Sequence, residues 1–333
     1  MKKDTNNQKK LSAPVVDPVS IPDKDLKART GFHSKFAALS FIIVIVCNGD
    51  VDVAVETRSE LTWFEEWMLF LQWEWGRQTI TQEALATSFN ISVTQLRRVI
   101  PQKQSMVLAA RSRWPLFSSF EEQIQLSDPS WMDNYGNKRL IMWDDTNIPA
   151  TSPSDPEINK HLYSQYYGGC VAKAGVGLLT TGWQCGTDPY AGNICDSDYM
   201  IRGKLSPDSE FSILEEMENF VEKCPVHSDI PFSNILDKGY RIVLEAHRCG
   251  GQMCIQPNFA RSDRRFNSSE VLRSAAIATD RSSNERAVKV SKRSGLIARG
   301  HQPHQNTSAI ADAWLGWTFQ VNFMYKPVLK VNY

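Results

Sequence analysis

Residues 139–149 have the sequence Arg-Leu-Ile-Met-Trp-Asp-Asp-Thr-Asn-Ile-Pro, in which an apolar run gives way to acidic and polar residues. The apolar run predicts a buried β-strand over residues 139–144. Asp144 stands directly after this run. In open α/β sheets, functional groups gather at the carboxyl ends of strands. We therefore expect Asp144 to lie at a strand end, within a functional site.

Two further acidic residues have comparable settings. Asp237 follows the run Phe-Ser-Asn-Ile-Leu and precedes Lys-Gly-Tyr, and Glu285 lies in residues 280–292, which have a pattern typical of a helix. If the strands before Asp144 and Asp237 are neighbours, their carboxylates can share a cation. Mg²⁺ and Mn²⁺ prefer oxygen ligands, and a pair of such ions drives phosphodiester chemistry. A single aspartate after a strand commonly caps a turn, but the agreement of three settings favours a metal site.

The surrounding sequence has the pattern of an α/β domain. Further strands are predicted over residues 163–170, 176–185 and 234–237, with a helix over 211–221 and mainly helices after Ser268. Strands followed by a helix, another strand and more helices indicate a mixed sheet covered by helices. We expect one such domain over residues 138–333.

The N-terminal part is predicted to be different. Residues 1–30 are polar and contain several prolines, which is typical of a disordered tail. Residues 31–137 are predicted to form an all-α domain, with a long and largely buried helix over residues 59–73. The chain therefore divides into a tail, a helical domain and an α/β domain.

Residues 81–100 match a helix-turn-helix pattern, in which Ser92 is the expected N-cap of the second helix. Arg97 and Arg98 are predicted on an exposed face of that helix, where they could contact DNA. Helix pairs of this kind are also common in ordinary bundles. DNA contact and a purely structural role therefore both stay open for this segment.

The overall composition narrows the class of protein. The 333 residues include 37 Lys and Arg against 37 Asp and Glu, which counts against indiscriminate nucleic-acid binding but permits a local basic patch. Seven cysteines without paired spacing favour a reducing compartment. The N-terminus lacks a signal-peptide layout, and the apolar stretch 36–47 is shorter than the roughly 20 residues that span a bilayer. We expect a soluble, intracellular protein that does not associate with membranes.

The blocks around the first two acidic residues resemble those of DDE-superfamily transposase nucleases of the PIF/Harbinger and related insertion-sequence groups. Residues 144–149, Asp-Asp-Thr-Asn-Ile-Pro, are similar to the family's Asp-Gly-Thr-x-Ile-Pro block, with Asp145 where Gly is usual. Residues 237–240, Asp-Lys-Gly-Tyr, match its second block without a change.

Two further segments carry the same resemblance. Arg281, Glu285 and Lys292 hold the last three places of the pattern Tyr-x2-Arg-x3-Glu-x6-Lys, and Ala278 stands at the tyrosine place. Residues 192–197, Gly-Asn-Ile-Cys-Asp-Ser, are similar to the family's Gly-x-x-His-Asp-Ser segment, with cysteine in place of histidine. The resemblance covers about half of the chain.

This resemblance implies an RNase H-like catalytic domain that uses two divalent ions, Mg²⁺ or Mn²⁺. Asp144, Asp237 and Glu285 would be its catalytic, metal-binding triad. Asp145 is either a spare ligand or a strand-end cap, and Asp196 is a further candidate ligand from an adjoining segment.

Arg281 and Lys292 would face DNA phosphates from the helix that carries Glu285. The alternative for these two residues is a solvated basic face of that helix.

The leading functional hypothesis is a transposase in the nucleus that cuts transposon ends and joins strands to target DNA. A second hypothesis is a domesticated, transposase-derived DNA-binding protein that no longer transposes. A third is an RNase H-like enzyme that acts on RNA. A homo-oligomer, and a separate protein that supplies DNA binding, are both compatible with the first.

Overall fold

A computed structural model describes residues 21–48, 59–76, 80–115, 120–127, 129–136, 139–204, 232–240, 253–259, 264–293 and 307–325. The α-helices in these ranges are α1 (Asp23–Thr30), α2 (Lys35–Asn48), α3 (Trp63–Gly76), α4 (Gln82–Ser88), α5 (Val93–Arg113), α6 (Phe120–Leu126), α7 (Pro129–Tyr135), α8 (Pro156–Leu162), α9 (Asp196–Tyr199), α10 (Ser268–Ser291) and α11 (Thr307–Met324), and a π-helical turn spans Met200–Lys204. The strands are β1 (Arg139–Pro149), β2 (Tyr163–Ser164), β3 (Gly169–Leu179), β4 (Gln184–Gly186), β5 (Tyr190–Ala191), β6 (Phe232–Ile235) and β7 (Met253–Ile255). The helix predicted over residues 211–221 lies outside the described residues.

A described helix lies within the predicted tail. α1 starts at Asp23, and its residue Leu26 is buried, so the predicted tail boundary at residue 30 is wrong. Acidic residues in the first turn and basic residues in the last turn favour this helix, because they complement its dipole. Gly31 then ends the helix in the left-handed conformation, at φ 77°. Residues 23–30 of the predicted tail therefore form a short helix.

A layer of helices packs around α2 and α5. The predicted core segment 36–47 forms α2, which buries Phe41, Ile42 and Ile45 and contacts α5 and α11. α3 is buried around most of its circumference, as its apolar composition predicts. No single described helix is long and apolar enough to cross a membrane, and α1 and α2 meet that criterion only as a pair bent by 53°.

α4 and α5 are two successive helices over the segment predicted to form a helix-turn-helix. Ser92 is the N-cap of α5, and it exchanges hydrogen bonds with Gln95 in a capping box, which confirms the prediction. Asn90, at φ 53°, supplies the left-handed residue that glycine commonly supplies in such turns. α5 continues through Pro101 as far as Arg113, well beyond the predicted end at residue 100, so its second half belongs to the main core.

The sheet confirms the predicted α/β class and its mixed strand directions. Its order is β2-β3-β1-β6-β7, with β4 and β5 also paired to β3. β3 is antiparallel to β1, whereas β6 is parallel to β1 and β7 is parallel to β6. β1 therefore lies in the middle of the sheet, between an antiparallel and a parallel neighbour.

The strand bounds differ from the predicted ones in two places. β1 continues through Asp144 to Pro149, because β3 pairs with it along this whole length, so Asp144 lies inside a strand and the predicted strand end is wrong. The two strands predicted over 163–170 and 176–185 are one long strand, β3, flanked by short β2 and β4. Gly177, inside this strand, allows close packing: a Cβ there would lie 2.6 Å from the ring of Trp143.

One hydrophobic core runs through the helical layer and the sheet. It includes Phe41 of α2, Met142 of β1 and Trp314 of α11. α11 contacts α2, α5 and β4, so this C-terminal helix packs with the N-terminal ones. The residues before and after the predicted domain boundary at residue 137 therefore share this core.

Candidate active site

The sheet register places Asp144 and Asp237 beside each other. The parallel pairing of β1 with β6 ends with Met142 opposite Ile235. The chain stays alongside β7 for one residue more, since Leu236 donates its backbone N–H to a β7 carbonyl at 2.9 Å. Asp144 and Asp237 each follow the last pair by two residues. The two predicted ligands therefore lie at the same level of neighbouring chain segments.

Asp237 is held in place by both its side chain and its backbone. Its Oδ1 accepts hydrogen bonds from the backbone N–H of Lys238 at 2.6 Å and from Nη1 of Arg281 at 3.0 Å. Its carbonyl accepts one from Nε2 of Gln256 at 2.6 Å, and Gln256 also donates to the carbonyl of Tyr240. The Asp237 side chain is nevertheless 48% exposed, so the carboxylate remains accessible to a ligand.

Asp144 and Asp145 face opposite sides of the sheet, because successive strand residues alternate. Met142 and Ile148, on the face of Asp144, share a core cluster with Ile277 of α10. Asp145 lies on the other face, where it lines a cleft. Of the two aspartates, Asp144 is therefore the one that shares a face with the helix carrying the third predicted ligand.

Tyr240, the last residue of the second block, is fully buried close to the acidic residues. Burial is the main cause that raises its pKa well above the ordinary value. The charge of Asp145 and a hydrogen bond to it also raise this pKa, as do the charges of Asp196 and Asp144. The Tyr240 hydroxyl therefore stays protonated and can donate a hydrogen bond to Asp145. Tyr199 is similar, since burial and then Asp145 raise its pKa.

α10 crosses one face of the sheet, with Arg281 beside the loop that follows β6. Near its start, Ser274 accepts a hydrogen bond from the segment after β7, and at its end Ser291 donates to β4. Glu285 lies one turn after Arg281 and is exposed. The adjacent Asn284 is 2% exposed, and both polar atoms of its amide lack hydrogen-bond partners among the described residues. Asn284 is therefore a buried polar residue at this level of the helix, beside the equally buried Ser283.

The three predicted ligands are only partly brought together. Asp144 and Asp237 lie at the same level of adjacent chain segments, whereas Glu285 is exposed on α10. Within the described ranges, no group of three or more His, Cys, Asp or Glu side chains could hold a metal ion. The geometry thus provides a pair of carboxylates with a third on an adjacent helix.

The two predicted phosphate-binding residues of this helix have different settings. Arg281 forms an ion pair with Asp237, and its side chain is 14% exposed. Lys292 is the C-cap residue of α10 and is exposed. The DNA contacts predicted for both residues stay predictions.

Asp196, the additional candidate ligand, lies on the Asp145 side of the sheet. Its carboxylate forms an ion pair with Nζ of Lys173 on β3. The next residue, Ser197, donates a hydrogen bond to the carbonyl of Gly239 at 3.4 Å. These contacts connect α9 to the loop after Asp237, so Asp196 supports the site from the face opposite α10.

Gly192 allows the segment before Asp196 to approach the sheet. A Cβ at this position would lie 2.4 Å from the carbonyl oxygen of Leu162 and 2.5 Å from that of Val171. Both atoms belong to the backbone and cannot rotate away. The glycine of the fourth sequence block is therefore required by close packing.

The helix-turn-helix arginines lie where the sequence predicts. Arg97 and Arg98 are both exposed on α5. Arg97 donates from Nε to Oε1 of Gln82 at 3.0 Å, which ties α5 to α4. Arg97 therefore has a structural contact, whereas the exposed side chain of Arg98 projects from the second helix of the pair.

Sequence reasoning missed three residues that shape the site: Lys173, Gln256 and Asn284. Lys173 and Gln256 act through contacts with residues distant in the chain, and no local pattern marks them. Asn284 lies directly beside Glu285, but its inward orientation depends on the rotation of α10 about its axis. A helical pattern with a clear apolar stripe would have shown that rotation, and the Ser- and Ala-rich sequence of α10 has none.

Comparison with known proteins gives no family assignment. No protein-family model matches the chain, and no curated protein matches it either. The functional interpretation therefore depends on the residues and contacts described above.

Proposed function

We propose that the protein is a metal-dependent DNA endonuclease of the DDE transposase type, with Asp144 and Asp237 at the centre of its active site. The observation that carries this proposal is the register of β1 and β6, which places the two carboxylates at the same level. The carboxylates come from two sequence blocks that are far apart in the chain. Two carboxylates at one level of adjacent chain segments could share a divalent cation.

An RNase H-like domain is the finer fold that the proposal requires within the α/β class. The sheet is compatible with it, because the long antiparallel pair of β1 and β3 continues into β6 and β7, both parallel to β1. α10 covers the face to which Asp144 belongs. Glu285, in the third block, is thus on a helix that packs on the sheet carrying Asp144 and Asp237.

The donor atoms of the site suit a hard cation such as Mg²⁺ or Mn²⁺. Asp144 and Asp237 would hold the ion through carboxylate oxygens. Glu285, which is exposed on α10, would have to turn toward them to act as the third ligand. The buried, unpartnered amide of Asn284 is a further oxygen donor on the same helix. A bound divalent ion supplies a water of lowered pKa and stabilises a departing oxygen.

A DNA-binding protein without cleavage activity is the second candidate, and the Arg281–Asp237 ion pair favours it. Arg281 already neutralises one carboxylate of the site, and Glu285 points into solvent. A protein that retains only the fold and its DNA contacts could keep this arrangement. Cleavage activity distinguishes the two candidates.

The proposal is tested by incubating the full chain with Mg²⁺ or Mn²⁺ and two DNA probes. One probe is supercoiled plasmid, and the other is a labelled duplex that carries the genomic sequences flanking the coding region. Nicking or end cleavage is expected for the wild type and should be lost in Asp237→Asn, because that change removes a metal-binding charge.

Asp133→Asn is the matched control, since Asp133 is an exposed aspartate on α7. It should cleave like the wild type. Absence of cleavage by the wild type with either ion on either probe would overturn the nuclease proposal in favour of the DNA-binding candidate. If Asp237→Asn still cleaves DNA, the cleavage comes from a contaminant or from a site that does not include Asp237.

A further inference from the structure

A polar cleft of about 1240 Å³ opens on the face of the sheet opposite α10. Asp145 and Asn147 of β1 line it, together with Lys173 of β3 and Asp196. Small-molecule pockets commonly measure roughly 300–1,000 Å³. The cleft is therefore large enough for an extended ligand.

Two tyrosines that line the cleft present their rings to solvent. Tyr166, in the turn between β2 and β3, is 97% exposed, and Tyr163 is 44% exposed. Lys160 is exposed beside them. Oδ1 of Asn147 is buried and has no hydrogen-bond partner among the described residues. Exposed rings stack on bases, a lysine contacts phosphate, and an amide oxygen accepts from a base amino group, so these groups suit single-stranded nucleic acid.

The charges along the cleft are nearly balanced. Asp196 is paired with Lys173, and the exposed Lys160 offsets Asp145. A duplex backbone would require a strongly basic surface, because phosphate contacts dominate duplex affinity. Stacking on the tyrosines would instead supply most of the affinity here. This balance favours a short single strand as the ligand.

The loop 237–240 borders both the proposed active site and the cleft. Asp237 lies at the level of Asp144, and Gly239, two residues later, lines the cleft. The hydrogen bond from Ser197 to Gly239 fixes the loop against α9. The loop is therefore the segment that joins the proposed active site to the cleft.

We propose that the cleft binds a single-stranded segment of DNA, with bases stacked on Tyr166 and Tyr163, next to the bond that the proposed nuclease cuts. This inference rests on the proposed function in taking DNA as the ligand. The binding itself requires neither a metal ion nor cleavage, and it can be measured without them.

The test measures binding of short labelled oligonucleotides to the full chain in EDTA, by fluorescence anisotropy. Tyr166→Ala is expected to weaken binding of single-stranded DNA about tenfold, because it removes one stacked base. Binding of the corresponding duplex should change little. Tyr167→Ala is the matched control, since Tyr167 is the adjacent residue, is 53% exposed and is not among the residues that line the cleft.

Equal single-strand affinities of Tyr166→Ala and Tyr167→Ala would overturn the inference. Stronger binding of an RNA oligonucleotide of the same sequence would overturn DNA as the ligand. If the protein cleaves DNA with a metal ion but Tyr166→Ala and Tyr167→Ala bind single-stranded DNA equally well, the cleft proposal is wrong and the nuclease proposal stands. Tyr166-dependent binding by a protein that does not cleave would support the cleft and remove the nuclease.

Discussion

Arg281 on α10 donates a hydrogen bond from Nη1 to Oδ1 of Asp237 across 3.0 Å, which joins the third acidic block to the second. The guanidinium is largely shielded from solvent, whereas the carboxylate is about half exposed. A cation bound by Asp237 would compete with Arg281 for the same oxygen. The ion pair is therefore both a brace for the loop after β6 and a competitor of the proposed metal.

Arg281→Gln is expected to raise the affinity of the protein for Mn²⁺, because it removes the competing positive charge from Asp237. The ion pair is partly exposed, so its loss should cost no more than about 1 kcal/mol of unfolding free energy. Isothermal titration with Mn²⁺ measures the first effect and urea denaturation the second. Lys289→Gln removes an exposed charge from the same helix and should change neither value. Unchanged Mn²⁺ affinity in Arg281→Gln would show that Asp237 does not bind the metal.

Asp144→Asn and Asp145→Asn should have different effects, although the two residues are adjacent. Asp144 shares a sheet face with α10 and lies level with Asp237, whereas Asp145 lines the cleft on the other side. We expect Asp144→Asn to lower the cleavage rate at least about a hundredfold, because removal of one charge-stabilising group from an active site commonly has an effect of that size. Asp145→Asn should retain cleavage within a few-fold. Rates measured with saturating Mn²⁺ compare them, and the reverse order would reassign the ligand to Asp145.

Tyr240 should make the stability of the protein depend on pH in the alkaline range. Its pKa is raised by burial and by Asp145, so the folded state keeps a proton that the unfolded chain loses near pH 10. Its contribution to stability is therefore complete below about pH 10 and is lost as the pH rises further. Tyr240→Phe removes this dependence, and its unfolding free energy should fall less steeply above about pH 10. Urea denaturation at a series of pH values measures the slope.

Tyr166→Phe is the control for this prediction, because the Tyr166 side chain is 97% exposed. It should follow the wild-type slope. An identical slope in Tyr240→Phe would show that other groups determine alkaline stability. Tyr199, whose pKa is raised chiefly by burial, would then be the next residue to replace.

Removing one partner of a buried ion pair in the helical layer should destabilise the protein strongly. Nζ of Lys103 lies 2.8 Å from Oε2 of Glu66, and both side chains are fully buried. Lys103→Met removes this counter-charge from Glu66 and should cost about 3–5 kcal/mol. Adding Glu66→Gln should recover much of the loss, because the remaining side chain is neutral and can still accept from Ser59. A double variant less stable than the single one in urea denaturation would contradict this account.

The sequence predicted features that depend on local patterns. The apolar runs before Asp144 and Asp237 identified the two strands, and Ser92 identified the start of α5. The end of β1 was not predictable in the same way, since its polar second half is a strand only because β3 pairs with it. Pairing between distant segments also determined that Asp144, rather than Asp145, faces α10. The local sequence shows that Asp144 and Asp145 face opposite sides of the sheet. It does not show which of the two faces α10 covers.

The third ligand shows the same limit in a helix. The spacing of Arg281 and Glu285 places them on one edge of α10, and this much follows from sequence. Which residue of α10 turns inward depends on how the helix lies on the sheet, through contacts such as Ser291 with Gln184. Asn284 is one of the residues that turn inward, whereas Glu285 does not. The composition of the site beyond the acidic blocks was therefore determined by tertiary packing.

Arg98→Ala should weaken binding of duplex DNA. Arg98 is exposed on the second helix of the helix-turn-helix, whereas Arg97 is engaged with Gln82. If Arg98 contacts a phosphate, its loss should lower duplex affinity and reduce the slope of log affinity against log salt by about one. Anisotropy titrations at several salt concentrations measure both quantities. Arg113→Ala is the control, because Arg113 is an exposed arginine at the far end of the same helix. An equal salt slope in Arg98→Ala and Arg113→Ala would leave the helix pair with a purely structural role, since a phosphate contact cannot be removed without releasing fewer counterions.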